Sequence, residues 1–131
     1  MSTPNLIATT LANNCYKSMF LGCTSLTAAP ALPATTLAQS CYSNMFNGCT
    51  SLLEAPNLPA PTLQIDCYNY MFANCSSLSS ITVNFTSWNV ITSTNNWLKA
   101  VAESGTITKP TALSTEYGDS YIPSGWTVID L

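Results

Sequence analysis

Six cysteines are the residues of this 131-residue chain best suited to chemistry, and they fall in two columns, Cys15, Cys41, Cys67 and Cys23, Cys49, Cys75. Such thiols could pair, hold a metal or act as nucleophiles. The chain contains no His, so a nucleophilic Cys or Ser lacks its usual base, and no closely spaced Cys pair offers half of a zinc site. Within one column, any pairing of three thiols leaves one over. Cys15 and Cys23, eight apart, would be separated by about 12 Å on a helix, beyond the ~7 Å reach of a disulfide. The expectation is therefore of free, buried thiols serving as small apolar residues. The six acids, Glu54, Asp66, Glu103, Glu116, Asp119 and Asp130, form no close motif. The nearest pair, Glu116 and Asp119, falls in an expected loop, where solvated charge is the plainer reading than a glycosidase dyad. No glycine-rich phosphate loop occurs. The expectation is a protein that is not an enzyme and takes no cofactor or metal.

What must position these columns is a repeat. An offset of 26 superposes residues 4–29, 30–55 and 56–81, with twelve of 26 columns identical in all three. Among them are Leu11/Leu37/Leu63, Tyr16/Tyr42/Tyr68, Met19/Met45/Met71, Phe20/Phe46/Phe72 and Leu26/Leu52/Leu78. A period of this length signals units that complete their cores against their neighbours. Within a unit, Leu11, Cys15, Tyr16, Met19, Phe20 and Cys23 are spaced 4, 1, 3, 1 and 3 apart. That spacing predicts one face of a short helix, capped at Thr10 and stopped by a left-handed residue at Gly22, Gly48 or Asn74. A short strand with an inward leucine should follow, and proline should open the next unit.

The pattern Met-Phe-x-x-Cys-Thr-Ser-Leu at Met19–Leu26 and Met45–Leu52, with Ser76 for Thr in the third copy, resembles the BspA-type leucine-rich repeat. The resemblance covers 78 of the 131 residues. It implies an α/β repeat, a short leucine-rich-repeat solenoid of three 26-residue units with a helix and a strand each. It also implies adhesion to host or microbial partners by a bacterial surface or secreted protein.

Residues 1–81 are then three leucine-rich repeats, and 82–131 a C-terminal cap on the last one within the same domain. In that segment Thr92 to Ser104 reads as a helix ended by Gly105, and two short strands should follow. All three tryptophans, Trp88, Trp97 and Trp126, lie there. Their economical role is to close the last unit, although an exposed one could serve as a ligand platform. The N-terminal end shows no comparable cap and could dock on another chain.

Charged residues make up 7% of the chain, against roughly 25% in an ordinary domain. Three lysines, no arginine and a net charge of -3 exclude the cationic footprint of a nucleic-acid binder. No run of ~20 apolar residues predicts a membrane span. The start Met1-Ser2-Thr3-Pro4-Asn5 has no basic or long apolar region of a secretory signal. The surface must be built of Ser, Thr and Asn, suited to neutral partners.

Function should therefore lie in the columns that vary. The expected binding surface is Thr27, Ala28, Leu53, Glu54, Ser79 and Ser80, with Trp88 beside it. The leading expectation is a non-catalytic protein- or glycan-binding module, extracellular or at the cell surface. The alternative is a structural component of a larger assembly, such as a phage fibre or decoration protein. Self-association would then use the N-terminal repeat face.

Overall fold

The computed structural model describes residues 3–131; Met1 and Ser2, the start of the segment read for a signal, lie outside them. The expected helix-plus-strand leucine-rich-repeat solenoid does not form. No helix occurs among the described residues, either in the three repeats or over 92–104. The only strands described are β1 (Ser80–Thr82), β2 (Gly105–Lys109) and β3 (Trp126–Asp130), joined side by side as one parallel sheet in that order. Registers run Ile81 to Ile107 and Ile107 to Val128.

Where helices were expected, the chain forms a ribbon of consecutive turns. Cys15 N–H bonds to Ala12 C=O, Lys17 to Asn14, Met19 to Tyr16, Leu21 to Ser18 and Cys23 to Phe20. Each is a four-residue turn, and alternate turns place a left-handed residue third, as type II turns require. Those residues are Asn14, Ser18 and Gly22 in the first unit, at φ 61°, 58° and 72°. They recur as Ser40, Asn44 and Gly48, and as Asp66, Tyr70 and Asn74. The glycine column is left-handed as its residue types demand, but it closes a turn rather than a helix.

The intervening N–H groups serve a different purpose. Asn14, Tyr16, Ser18, Phe20 and Gly22 donate to the carbonyls of Gln39, Cys41, Ser43, Met45 and Asn47 at 2.8–3.0 Å. The bonds recur from the second unit to the third, from Ser40 to Ile65 through Gly48 to Ala73. Odd-numbered donors of the first unit thus close turns while even-numbered ones tie each 26-residue winding to the next. Almost every backbone donor in the ribbon is satisfied without helix or sheet.

The identical columns consequently stack. The Phe20, Phe46 and Phe72 rings lie 5.5 and 5.4 Å apart at 6° and 3°. Tyr16, Tyr42 and Tyr68 stack at 5.9 and 6.0 Å. Met45, Met71, Leu26, Leu52, Leu78 and four of the cysteines are fully buried among them.

The ribbon then continues past Ile81. Tyr68, Tyr70, Phe72 and Asn74 donate to Ser93, Asn95, Trp97 and Lys99, and Thr92, Asn96 and Ala100 take the left-handed positions. This fourth winding keeps none of the twelve repeated residues. Trp97 stands in the methionine column and Leu98 in the phenylalanine column, both buried. The remaining segment closes the stack: Trp97 Nε1 donates to Tyr121 C=O at 2.7 Å and Trp126 Nε1 to Ala102 C=O at 2.8 Å. Gly105 permits the close approach, since a Cβ there would sit 2.6 Å from both Ser79 C=O and the Trp126 ring.

One core group is left without a partner. The Tyr68 hydroxyl is buried and makes no hydrogen bond among the described residues, and burial pushes its pKa well above the ordinary value. An unsatisfied buried hydroxyl costs about 1–3 kcal/mol. Tyr68→Phe is therefore expected to raise folding stability by about 1 kcal/mol or more, read as a higher urea midpoint with an unchanged m-value. A lower midpoint would show that the hydroxyl has a partner.

Candidate functional site

After each buried leucine the chain leaves the ribbon by a turn, with Leu26 N–H on Cys23 C=O and Leu52 N–H on Cys49 C=O. It then runs extended along the opposite side. The second and third windings are tied there by Ser79 N–H to Leu53 C=O, Ala55 N–H to Ser80 C=O and Leu58 N–H to Thr82 C=O, each at 3.0 Å.

Between the first and second windings the equivalent three bonds are missing. Leu53 does not donate to Thr27, nor Ala29 to Glu54, nor Leu32 to Pro56. Prolines occupy corresponding columns on both sides here: Pro30 and Pro33 align with Pro56 and Pro59, each with fixed φ, whereas Thr82 and Phe85 stand in those columns opposite the second winding. The extended runs part, and a groove of about 690 Å³ opens between Thr27–Pro33 and Leu53–Pro59.

Leu32 is buried at this groove, while Leu53 is 59% exposed. Glu54 is its one charged lining residue, and no aromatic side chain lines it. Three N–H groups (Ala29, Leu32, Leu53) and three carbonyls (Thr27, Glu54, Pro56) along it have no backbone partner among the described residues. The arrangement offers mixed donors and acceptors on two facing edges, with apolar walls.

Four of the seven residues expected to form a binding surface, Thr27, Ala28, Leu53 and Glu54, line this groove. Ser79 and Ser80 do not line it. Their backbone is engaged with the second winding on one side and with β2 on the other. Trp88 belongs elsewhere, edge-on to Phe85, Trp97 and Tyr121 at 5.2–5.9 Å with its Nε1 donating to Ser114 C=O at 2.8 Å. It packs the closing end and edges a separate recess of about 350 Å³ beside Glu116 and Tyr121.

Comparison brings no further guide. No family model, curated protein or solved structure matches this chain. The resemblance to BspA-type repeats rests on its motif residues alone, and the function must be argued from the groove. The open proline-flanked runs were not foreseen, although the prolines at 30, 33, 56 and 59 were the available signal.

Four of the six thiols, Cys41, Cys49, Cys67 and Cys75, are buried and held away from chemistry. Cys49 and Cys75 donate to the Phe20 and Phe46 carbonyls at 3.2 and 3.0 Å. Burial, the dominant cause in each case, pushes Cys41 and Cys49 up to about 11 and Cys67 and Cys75 up to about 12. Thiols this reluctant to ionise are poor nucleophiles and poor metal ligands at neutral pH. Cys15 is exposed and Cys23 half-buried.

Proposed function

We propose that this chain is a non-catalytic binding module whose groove between the first two windings receives an extended polypeptide segment. The observation that carries the reading is the set of three donors and three acceptors left unpaired along facing proline-flanked edges. An extended peptide satisfies such edges by adding its own backbone, while its alternate side chains enter apolar pockets. A sugar would be gripped chiefly by an aromatic face, and the groove has none. The weakly charged exterior, rich in hydroxyls and amides, suits a protein displayed on a bacterial surface or secreted. It gives little long-range steering, so association should be ordinary in rate and only mildly salt-dependent.

Selection of displayed random peptides against the full chain tests this. Binders recovered should lose about tenfold or more in affinity with Ala28→Trp, which fills the groove, and keep it with Trp88→Phe. Binders indifferent to Ala28→Trp, or a glycan array that gives the only binding, would remove the groove from the function.

The second reading, a structural component of a larger assembly, draws on the exposed first winding.

A further inference from the structure

The ladder that ties the windings together is polar, and it is open at one end. In every inner winding the carbonyls at alternate positions accept N–H groups from the winding before, as Cys41, Ser43, Met45 and Asn47 do from Tyr16, Ser18, Phe20 and Gly22. In the first winding the same row is Asn13, Cys15, Lys17, Met19 and Leu21, and none of these carbonyls accepts a hydrogen bond among the described residues. The side chains there are open as well. Met19 is 42% exposed where Met45 is fully buried, Cys15 is exposed where Cys41 is buried, and Tyr16 is only half-covered where Tyr42 is enclosed.

We propose that this edge is a one-way docking site for a further polypeptide ribbon of the same 26-residue kind. The occupant's chemistry is defined by the interface already present twice within the chain. It must carry N–H donors on every second residue, and apolar side chains that extend the Tyr, Met and Phe columns. Extended edges of unpaired backbone groups are general templates for such addition.

The same polarity argues against a second copy of this chain. A two-fold pairing of first windings would set carbonyls against carbonyls, because the odd-numbered N–H groups of this edge are consumed in its own turns. Head-to-tail stacking is obstructed by the closing segment, which buries Thr94, Trp97 and Leu98. The fourth winding offers its Asn96 N–H to Ser120 Oγ at 3.0 Å, and Trp97 is buried beneath Tyr121 and its neighbours. This inference is independent of the groove, which lies on the proline-bearing side.

The test reads the accessibility of Cys15. Fusing a second copy of residues 30–55 ahead of the full chain should slow alkylation of Cys15 by a hundredfold or more and raise the midpoint of thermal unfolding. A synthetic peptide of residues 30–55, added in trans, should slow the same reaction severalfold and saturably, and a scrambled peptide should not. Unchanged Cys15 reactivity in the fusion overturns the proposal whatever the peptide does. So does light scattering that finds the unmodified chain as a dimer with Cys15 already protected.

Discussion

Asp130→Ala is expected to cost about 3 kcal/mol of folding stability or more, and Lys109→Met distinctly less. The two residues face each other in register across β2 and β3. The Lys109 side chain is 2% exposed, and its Nζ lies 2.6 Å from Asp130 Oδ1 and 2.5 Å from the Leu113 carbonyl. The Asp130 side chain is 49% exposed. That inequality sets the direction of the asymmetry. Without Asp130, an ammonium group remains in the interior with only carbonyl dipoles around it, and a stranded buried charge costs about 3–5 kcal/mol. Without Lys109, the carboxylate turns to water at little cost, and methionine refills the space of the apolar stem. What then remains is the Leu113 carbonyl without a donor, at about 1–3 kcal/mol. Urea titrations of the two variants against the parent measure the order directly. Equal losses, or a smaller loss for Asp130→Ala, would show that the Lys109 ammonium reaches solvent.

The pair also marks how much of this molecule could be read in advance. The repeat displays its core columns plainly, and Leu26, Tyr42, Met45, Phe46 and Cys49 are buried as the repetition requires. The error lay in converting a spacing into an element. Leu11, Cys15, Met19 and Cys23 are each four apart, and Tyr16 and Phe20 are four apart beside them. A helix drifts against a strict period of four, whereas paired turns hold it indefinitely. The second clue was in the gaps. Residue types tolerant of left-handed φ stand at Asn14, Gly22, Asn44, Gly48, Asp66, Asn74 and Asn96. Ser18, Ser40, Tyr70, Thr92 and Ala100 occupy the same positions and break the visible pattern.

The fourth winding was illegible for a different reason. Its bonds to the third run through backbone N–H and C=O, which any sequence supplies, so Trp97 and Leu98 can replace Met and Phe without breaking the ladder. The candidate site stood halfway between. Outward columns such as Thr27, Ala28, Leu53 and Glu54 announce themselves by varying. That two windings should separate there rests on three backbone bonds that do not form, and no pattern of hydrophobicity records a missing bond.

The stacked thiols lead to the second large effect, a cooperative loss of the fold in alkali. In the unfolded chain the thiols titrate near their ordinary value of 9.0, while in the folded protein burial holds Cys41 and Cys49 at about 11 and Cys67 and Cys75 at about 12. Between those limits the unfolded chain binds fewer protons than the folded one, so stability falls as pH rises. The contribution of these groups is fully present below pH 9 and is lost progressively as pH climbs through 11 and 12. Each unit of separation corresponds to about 1.4 kcal/mol. Four such groups acting together approach the ~5–15 kcal/mol that holds a domain folded. Tyr42 and Tyr68, both pushed upward by burial, steepen the same slope. The chain should therefore unfold before its inner thiols ionise, with tryptophan fluorescence and thiolate absorbance changing together. At pH 8 only Cys15, and more slowly Cys23, should react with a thiol reagent. Cys75→Val, which copies the Val101 of the fourth winding in that column, should move the alkaline midpoint upward by removing one titrating group. Thiolate absorbance that rises well before the fluorescence changes would mean that the inner cysteines ionise in the folded state, and the burial argument would fail.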